Sequence, residues 1–559
     1  ALFKSKLQEL QQTRAEDNIN SIAKGSKAWW NGVKEVTGER KTDNNTEYVN
    51  VDNSWLTSQE FCDQINNHYL SLGEGTTLDF PNLPLSEPDH VYNLDELQIY
   101  NLLRKINTKK STHSLDFPSW VSRNNADILA KPVTNILMSI LNTGIFPKIW
   151  KQAEVKPLAK VANPKLFKDY RPIALLFHLS KIAEVCVKTE LAKYIPTDEH
   201  QFAYTKGYGT SDALVKIITD TAITLNEKQT YAMQSLLLDF SKAFDLMKPD
   251  TLATKLLNMN VPVSVVRLVM SFLTERRQRV RFNNQTSPSR HTNLGVPQGT
   301  ILGPILWNAY VQDLKPSERV IKYADDTTIY VPVLRKDIEV TTSERRNRSI
   351  LISHNAMQVA ADRATSWCEN TNQKINATKT QFLMFSLQLN ITVSPPIMIK
   401  SEQVEQTNSA KLLGVVIDDH LKFQEHSRHI IQRTRQPVHG LLTLKRHGVK
   451  PTSLVKFYQA RIIPIMTYAA PAWYSFTAQH VRDTLERHQS LCLRLIYPNI
   501  SSYTERLRLS GVERLNDCLN NLCAKYTERV ANDQNHRLHH LIPPTQSVNR
   551  HSARLSDVH

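Results

Sequence analysis

Residues 320–331 read VIKYADDTTIYV, in which two apolar runs flank a pair of acidic residues. The runs 320–324 and 327–331 have the length and the β-branched and aromatic content of short strands, so they predict a β-hairpin with Asp325 and Asp326 in its turn. Adjacent carboxylates repel each other, and a hard divalent cation such as Mg²⁺ is their usual compensation in proteins. An isolated Asp-Asp pair is more often only a polar turn. The rest of the chain must decide between these two interpretations.

A third acidic residue follows another apolar run. The stretch 233–238 reads MQSLLL, predicts a buried strand, and is followed at once by Asp239. A carboxylate at the end of a buried strand is costly unless a positive charge lies beside it. If this strand and the hairpin are neighbours in one sheet, Asp239 and Asp325 point at the same place, with Asp326 nearby. Such a site would hold two hard cations about 3.5–4 Å apart, the arrangement that catalyses in-line phosphoryl transfer.

The composition is that of a globular protein with a strongly basic balance. Of the 559 residues, 41% are hydrophobic and 22% are charged, and 69 Lys and Arg face 53 Asp and Glu, which gives a net charge of +16. These values exclude a disordered or fibrous chain. The positive excess favours a polyanionic partner, most commonly nucleic acid, and we find no apolar run long enough to span a membrane. Six scattered cysteines are typical of a reducing compartment.

The organisation of the chain changes along its length. Between about 140 and 420, short apolar runs alternate with helical patterns, as in an α+β or α/β domain, and after about 425 the pattern is mainly helical. Three prolines in 80–90 predict a linker. We expect the His-, Arg-, Ser- and Pro-rich stretch from His536 onward to be poorly ordered. The chain opens with Ala rather than Met, so we expect its natural start to lie upstream.

The acidic motifs belong to an ordered series of sequence motifs. The central ones are LLLDFSKAFD at 236–245, NLGVPQGTILGPILWNAYVQDL at 293–314, KYADDTTIY at 322–330, NATKTQFLMF at 376–385 and KLLGVVIDDHLKF at 411–423. Upstream lie WKQAEVKPLAK at 150–160 and KDYRPIALLFHLSKIAE at 168–184, and downstream lie TYAAPAWY at 467–474 and LERHQSLCLRLI at 485–496. Over roughly residues 90–540 this series resembles the reverse transcriptase of non-LTR (LINE-type) retrotransposons, most nearly the jockey-like group.

The resemblance implies an α+β, right-hand polymerase fold with fingers, palm and thumb and a helical C-terminal region. The implied division is an N-terminal extension and linker at 1–90, and fingers and palm at 91–425 with a core reverse transcriptase domain at about 141–419. A helical thumb follows at 426–510, and a C-terminal helical segment with a basic tail at 511–559.

The resemblance also implies roles for the acidic motifs. Asp239 and Asp325 would be the principal ligands of two Mg²⁺ ions, for which Mn²⁺ is an alternative, and Asp326 would be the accessory carboxylate. Phe244 falls where the family places an aromatic ring under the sugar of the incoming nucleotide, so that a 2′-hydroxyl is excluded. Without the family, a core aromatic would be the better interpretation of Phe244.

The motif GVPQG implies a contact with nucleotide and template. We expect the backbones of Gly295 and Gly299 to approach the nucleotide or the template closely, which a Cβ would prevent. Gln298 can donate and accept hydrogen bonds with its amide, and with Gly299 it would bind the nucleotide, whereas Gly295 and Pro297 would contact template and primer. GVPQG alone would also fit a Pro-Gly turn that enters a helix.

Several basic residues acquire candidate roles in the same way. Lys160 and Arg171 match the cations that bind the triphosphate of the incoming nucleotide, for which the planar fork of Arg is well suited. Lys379 matches the position proposed to protonate the departing pyrophosphate. Arg279 and Arg281 lie on one face of a predicted strand at 278–282, which could follow the phosphates of template and primer or could equally be a solvated surface.

One alternative metal site can be formulated near the C-terminus. Cys518, Cys523, His536 and His540 have a spacing compatible with a C2H2 zinc site. That site requires a hairpin between the cysteines. Apolar residues recur at helical spacing through both of them, so we predict a continuous helix and no zinc finger. These residues are Leu515, Leu519, Leu522 and Tyr526.

Some positions depart from the family pattern. In the loop at 201–210, QFAYTKGYGT, the positions where the family has arginines carry Thr205 and Tyr208, which puts a template contact of this loop in doubt, although Lys206 could compensate. The usual His after the first acidic motif is Pro249. Full-length relatives carry an upstream endonuclease, and residues 1–90 do not resemble it, so we expect that this chain alone does not cut DNA.

The sequence thus predicts an RNA-directed DNA polymerase that extends a primer 3′-hydroxyl with deoxynucleoside triphosphates. Its expected partners are an RNA template and a DNA primer or target, with no membrane, and family membership implies an intracellular protein with access to nucleus and cytoplasm. Two alternatives stay open at this point. The first is a catalytically inactive remnant that only binds nucleic acid, and the second, disfavoured by the C-terminal motifs, is an intron maturase.

Overall fold

The computed structural model describes residues 48–542, with gaps at 74, 84–91, 162, 293, 344–346, 353–354 and 388–394. The α-helices of the described part are α1 (Ser58–Leu70), α2 (Glu96–Arg104), α3 (Ser119–Asn124), α4 (Ala126–Thr143), α5 (His178–Leu191), α6 (Thr210–Leu225), α7 (Pro249–Asn258), α8 (Val263–Leu273), α9 (Gly303–Tyr310), α10 (Ala356–Asn370), α11 (Gln424–Arg446), α12 (Pro451–Arg461), α13 (Ile463–Met466), α14 (Ala470–Trp473), α15 (Gln479–Ile496), α16 (Tyr503–Ser510) and α17 (Leu515–Asn532).

The strands of the described part are β1 (Tyr48–Val51), β2 (Ser54–Thr57), β3 (Gln152–Ala159), β4 (Tyr170–Leu175), β5 (Thr230–Leu238), β6 (Arg276–Phe282), β7 (Gln285–Thr286), β8 (Arg290–Thr292), β9 (Val320–Tyr323), β10 (Asp326–Leu334), β11 (Ile338–Ser343), β12 (Asn347–Ile352), β13 (Gln381–Phe385), β14 (Ile397–Ile399), β15 (Glu402–Val404), β16 (Gln406–Thr407), β17 (Ser409–Leu412) and β18 (Val415–Asp418). The chain therefore has the mixed helix and sheet content that the sequence predicts.

A five-stranded sheet, called the central sheet below, divides two hydrophobic cores. Its order is β16-β13-β5-β10-β9, antiparallel except for the parallel pair of β13 and β16. Successive side chains of a strand point to opposite faces, so Leu236 and Leu238 pack into one core with α4, α5 and α7–α10. Met233 lies on the other face and packs with α6 and the C-terminal helices. Covering on both faces explains why β5 is buried almost throughout.

A second sheet has the order β4-β3-β6-β7, with β8 also paired to β6. Helix α1 packs against it: Phe61 contacts Tyr170 and Phe282, with ring centroids 5.2 and 4.9 Å away. Thr57 and Glu60 form a capping box at the start of α1, which fixes where the helix begins. Residues 48–73 are thus part of the folded domain, and the first 47 residues of the predicted N-terminal extension lie outside the described residues.

The C-terminal part is helical, as predicted, from α11 to α17. Helix α17 runs without interruption through Cys518 and Cys523, so the predicted continuous helix is confirmed and a hairpin between these cysteines is excluded. The expectation that the chain is poorly ordered from His536 onward is wrong for its first residues, because Leu538 is buried and joins the second core. The remainder of that tail, from 543, lies outside the described residues.

Within the described ranges, the chain contains no helix that combines the length and the apolar character needed to cross a bilayer.

Candidate active site

The predicted hairpin forms, with one difference at its turn. Strands β9 and β10 pair antiparallel from Val320 with Ile329 to Tyr323 with Asp326. Asp326 is therefore the first residue of β10, and the turn consists of Ala324 and Asp325. Ala324 has a φ of +59°, a left-handed conformation that is uncommon for a residue with a Cβ. Asp325 follows this residue, and its charge interacts with that of Asp239.

The strand that precedes Asp239 is the neighbour of this hairpin, as the sequence predicts. In the pairing of β10 with β5, Thr327 lies opposite Leu238, so the next positions along the two chains are Asp326 and Asp239. The backbone N–H of Asn376 donates to the Asp239 carbonyl oxygen at 2.8 Å, and the 374–380 loop thereby holds Asp239 from the other side. The three acidic residues therefore lie near one another at one end of the inner strands β5 and β10.

The three carboxyl groups lie near each other, and the positive charges around them do not fully offset their mutual repulsion and their loss of solvent. Partial loss of solvent raises the pKa of Asp239 and of Asp325, and repulsion by Asp239 adds to the increase for Asp325. The pKa of Asp326 is raised to about 6, first by loss of solvent and then by repulsion from Asp325 and Asp239. A bound divalent cation would stabilise the ionised forms of all three groups.

The acid cluster fits a metal that is bound partly by substrate. In the part of the chain that the structure describes, no group of three or more His, Cys, Asp and Glu side chains is arranged closely enough to hold a metal ion. Mg²⁺ is usually bound through one or two carboxylates together with waters and substrate phosphates, and not by a complete protein cage. Asp239 and Asp325, with Asp326 beside them, have the oxygen chemistry for such a partial ligand set.

A cavity of about 1130 Å³ is lined by two of these acids, Asp239 and Asp325. Its wall contains most of the residues that the sequence singles out, from several different segments of the chain: Lys160, Arg171, Asp239, Phe244, Gly295, Pro297, Gln298, Asp325 and Lys379. Four of the predicted site residues are not among those that line it: Gly299, Asp326, Arg279 and Arg281. The structure therefore brings the acidic motifs, the GVPQG motif and the predicted phosphate-binding cations to one cleft.

The cations of the cleft lie close enough to repel each other. Lys160 follows β3 and Arg171 lies in β4, and the two strands pair beside them. Burial lowers the pKa of Lys160, and repulsion by Arg171, Lys242 and Lys379 lowers it further. The Lys160 Nζ donates to the carbonyl oxygen of Lys168 at 2.8 Å. Several positive charges that face one cleft are an arrangement that favours a polyanionic ligand such as a triphosphate.

Lys379 lies between the acids and the cations. Its Nζ is 3.9 Å from the Asp239 Oδ2, and its side chain is 70% exposed. An exposed ammonium on a flexible stem can change partner at little cost, since a surface ion pair contributes little stability. The position therefore allows Lys379 to reach a ligand in the cleft, as a proton donor would have to.

Phe244 both packs against the core and lines the cavity, so both interpretations of its role that the sequence leaves open remain possible. Its ring packs against Trp307, with centroids 4.9 Å apart, and it lies at the margin of the core below the site. The same residue also lines the cavity. A ring that is fixed from behind by a buried indole can present a rigid surface to whatever occupies the cleft.

The glycines of GVPQG are required by contacts within the protein, and an approach of Gly295 and Gly299 to nucleotide or template stays a prediction. Gly295 has a φ of +75°, and a Cβ there would lie 2.7 Å from the carbonyl oxygen of Asp245. Gly299 has a φ of +114°, and a Cβ there would lie 3.0 Å from the carbonyl oxygen of Ala174. The close approach is therefore between GVPQG and the backbones of the first acidic motif and of β4. No template is needed to explain either glycine.

Gln298 is held by its backbone and keeps an unsatisfied side chain. Its carbonyl oxygen accepts from the Ala174 N–H at 2.8 Å. Its buried Oε1 has no hydrogen-bond partner among the described residues, and such groups are rare because they are costly. Gln298 is one of the residues that line the cavity.

Arg279 and Arg281 do project from one face of β6, as predicted, but that face has a partner within the protein. The two guanidinium groups lie 3.2 and 3.3 Å from the two carboxylate oxygens of Glu154, whose side chain is buried. The structure therefore explains this basic pair without nucleic acid. A contact of Arg279 or Arg281 with template or primer stays a prediction.

The structure adds residues to the site that sequence reasoning did not single out. Asp245 and Lys242, in the same motif as Asp239, line the cavity, and burial raises the pKa of Asp245. The acidic residue at the end of DFSKAFD could have been noticed as a candidate. His68 and Tyr69 of α1 also line the cavity, and nothing in the local sequence of α1 indicated that.

Comparisons with known proteins match the part of the chain that contains this site. Residues 159–417 match the family model described as Reverse transcriptase (RNA-dependent DNA polymerase). The chain is 28% identical over 465 residues to the RNA-directed DNA polymerase from mobile element jockey of Drosophila melanogaster, a match that covers 80% of this chain and 48% of that protein.

Two further relatives from the same organism are named as probable RNA-directed DNA polymerases from transposons. The X-element protein is 27% identical and the BS protein 26% identical, over 76% and 83% of this chain and 45% and 51% of those proteins. The chain thus spans about half the length of the curated relatives it matches. The resemblance inferred from the motifs is confirmed.

Proposed function

We propose that this chain, whose residues 159–417 form a reverse transcriptase domain of the non-LTR retrotransposon type, is an RNA-directed DNA polymerase. It extends the 3′-hydroxyl of a primer with deoxynucleotides on an RNA template. The single observation that carries the proposal is the meeting of Asp239 and Asp325 in a cavity whose other walls carry Lys160 and Arg171. Acids for metal ions and cations for phosphates are the two requirements of nucleotidyl transfer.

The proposed mechanism assigns each side chain a separate task. Asp239 and Asp325 would hold two divalent ions, with Asp326 as the accessory carboxylate. When bound, the ions lower the pKa of the primer hydroxyl and neutralise the charge that develops on the pyrophosphate. Lys160 and Arg171 orient the triphosphate and thereby place its α-phosphorus in line with the hydroxyl. Lys379 donates a proton to the leaving pyrophosphate.

The remaining residues of the cleft select and orient the nucleotide. The ring of Phe244 supports the sugar and excludes a 2′-hydroxyl, because Trp307 prevents the ring from retreating. The unpaired Gln298 Oε1 accepts a hydrogen bond from the nucleotide, and its neighbour Gly299 keeps the loop against β4. Gly295 and Pro297 position the GVPQG loop, along which template and primer pass.

The proposed architecture is a right hand. The central sheet would be the palm, with the three acids at the ends of its inner strands. The second sheet with α4 and α5 would be the fingers, and palm and fingers together would span 91–425. Helices α11–α16 would be the thumb at 426–510, and α17 and the residues after it would be the C-terminal segment. The basic excess of the chain fits an RNA template and a DNA primer as partners.

Primer extension with a matched pair of variants tests the proposal. We expect the parent chain to extend a primer on an RNA template with Mg²⁺ and deoxynucleotides, and Asp325→Asn to lose extension while it binds primer–template nearly as well. Asp313→Asn is the control, because Asp313 is an acid outside the cavity that pairs with Lys255 at 2.5 Å. Full activity of Asp325→Asn would refute the assignment of the site.

A further inference from the structure

The C-terminal segment contacts a loop that precedes the catalytic hairpin by more than 100 residues. Asp212, in the first turn of α6 directly after that loop, accepts hydrogen bonds at its Oδ1 from Tyr526 at 2.9 Å and from Arg529 at 2.6 Å. The Asp212 side chain is only 3% exposed, and its Oδ2 accepts from the Gly209 N–H at 2.8 Å. A buried carboxylate whose two oxygens both accept hydrogen bonds holds the start of α6 and the helix α17 together.

Arg537 extends this contact to the start of the loop. Its guanidinium lies over the Tyr208 ring, 4.5 Å from the centroid, and its Nη1 donates to the Gln201 carbonyl oxygen at 2.8 Å. The backbone N–H of Arg537 donates to the Tyr208 hydroxyl at 3.1 Å. Tyr208 is one of the two positions where the family pattern has an arginine. A guanidinium thus reaches this loop from the other end of the chain.

Gln201 connects the loop to the catalytic turn. It is buried, and its Oε1 accepts the Ala324 N–H at 3.0 Å. On either side, the Phe202 N–H donates to the Lys322 carbonyl oxygen at 2.9 Å, and the Lys322 N–H donates to the His200 carbonyl oxygen at 2.8 Å. Residues 200–202 therefore pair with the outer side of β9. Strand β9 ends two residues before Asp325.

The turn depends on such external support. Ala324 adopts a positive φ, and residues in sparsely populated conformations persist only where the surrounding structure holds them. Two side chains hold this residue: Gln201 binds its N–H, and the Trp307 indole N–H donates to its carbonyl oxygen at 2.8 Å. Gln201 in turn is held through its own carbonyl by Arg537. A shift of Gln201 would therefore be transmitted to the Asp325 carboxylate.

We propose that Arg537 is a positioning residue for catalysis, and that the segment from Tyr526 to Leu541 secures the catalytic turn through Gln201. The proposal rests on the proposed function for its effect on synthesis, but its structural part, the support of the turn, is independent of it. It also gives the Tyr208 departure a physical reason, because a Tyr ring in that position receives the Arg537 guanidinium, whereas an arginine would repel it.

The test compares Arg537→Ala with Arg508→Ala in the full chain. Arg508 is a matched control because it is 71% exposed and pairs only with the nearby Glu505 among the described residues. We expect Arg537→Ala to lower the extension rate at saturating nucleotide and primer–template by at least about 10-fold, since a displacement of about 1 Å can cost that much. The KM for nucleotide and the affinity for primer–template should change less than about 2-fold. An unchanged maximal rate would overturn the proposal.

Hydrogen exchange separates this proposal from the proposed function. In the Arg537→Ala protein, the amides of Phe202, Lys322 and Ala324 should exchange at least about 10-fold faster, while those of the β13–β5 pairing should not. If the parent does not extend primers, the proposed function fails, and the exchange result alone still decides whether the segment supports the turn. Equal exchange in parent and variant overturns the proposal, whatever the activity.

A milder variant covers the case that Arg537→Ala does not fold. Tyr208→Phe keeps the ring and removes only the hydroxyl that accepts from the Arg537 N–H. We expect the same changes in the same direction, with a rate decrease of about 2–5-fold, as expected for one lost hydrogen bond, and faster exchange at Lys322 and Ala324. A folded Tyr208→Phe protein with parental rate and parental exchange would overturn the proposal.

Discussion

At the scale of single residues, Phe244 gives the most specific prediction. The ring lies on the cavity wall and is supported by Trp307, so its removal opens space without disturbing the acids. We expect Phe244→Ala to raise ribonucleotide incorporation relative to deoxynucleotide incorporation by about 10-fold or more, which corresponds to about 1.4 kcal/mol of lost discrimination. Single-nucleotide incorporation with each sugar measures the ratio, and Phe146→Leu, a change of a buried ring of the same core that does not line the cavity, is the control. An unchanged ratio would remove Phe244 from this role.

The raised pKa of Asp326 predicts how synthesis depends on pH and metal. Because the pKa lies near 6 and above the ordinary value of 3.8, this carboxylate takes up a proton at higher pH than a solvated aspartate. Carboxylates must be ionised to bind a metal ion. The extension rate should therefore fall as the pH decreases from about 7 to about 5, and a higher Mg²⁺ concentration should move the midpoint to lower pH. A midpoint that is the same at low and high Mg²⁺ would contradict this competition.

Residue identities were predictable where the chemistry itself leaves little choice. Asp239 and Asp325 could be singled out because a carboxylate is costly at the end of a buried strand, and Arg171 because it stands in a motif that matches a phosphate-binding position. The partner of a residue was less predictable. The glycine at 295 clearly avoids a Cβ, but the sequence cannot state that the backbone of Asp245 is what approaches it. Likewise, the pairing of Arg279 with Glu154 joins positions 125 residues apart.

At the scale of elements, the contact of the GVPQG loop with the first acidic motif gives a stability prediction. Gly295→Ala combines a positive φ with a clash against two backbone carbonyl oxygens, whereas Gly511→Ala has a similar φ of +61° with open space around the Cβ. We expect a loss of about 1 kcal/mol in the free energy of unfolding for Gly511→Ala and at least about 3 kcal/mol for Gly295→Ala. Urea denaturation measures both. Equal losses would show that the two segments are not in close contact.

Helices and strands could be predicted where the apolar residues of a segment follow a single helical or strand pattern. The apolar run of β5, the hairpin of β9 and β10 and the helix through Cys518 and Cys523 were all predicted, and the structure confirms them. The exact turn was not predicted, because Asp326 is as compatible with a turn as with the first position of a strand. The packing of α1 on the second sheet was also missed, since an amphipathic helix indicates that it has a partner but not which one.

At the scale of the whole molecule, the net charge of +16 predicts the binding behaviour. A protein that releases counterions from six to ten phosphates loses about 10³–10⁵-fold in affinity between 50 and 200 mM salt. We expect a loss of that order for an RNA–DNA primer–template, and a similar loss for Asp325→Asn, because one neutralised acid leaves the basic surface intact. Fluorescence anisotropy over a salt series measures it. Binding that does not depend on salt would contradict a phosphate-dominated interface.

The overall organisation could be predicted only in part. The order of motifs indicated one catalytic domain followed by helices, and residues 159–417 match the reverse transcriptase family model. The return of the C-terminal segment to the loop at 201–209 and to the first turn of α6 could not be predicted, because it depends on contacts between positions more than 300 residues apart. The composition of the tail suggested disorder, yet Leu538 and Arg537 are held by partners that composition does not reveal.

The most direct test of the central claim is templated incorporation by the parent chain beside the Asp325→Asn/Asp326→Asn double variant. Both proteins receive an RNA template, a DNA primer, Mg²⁺ and one deoxynucleotide at a time. We predict that the parent adds only the nucleotide complementary to the next template base, and that the double variant adds none although it binds the primer–template. If neither protein extends the primer while both bind it with steep salt dependence, the chain is a nucleic-acid-binding protein without polymerase activity, and the proposed function is contradicted.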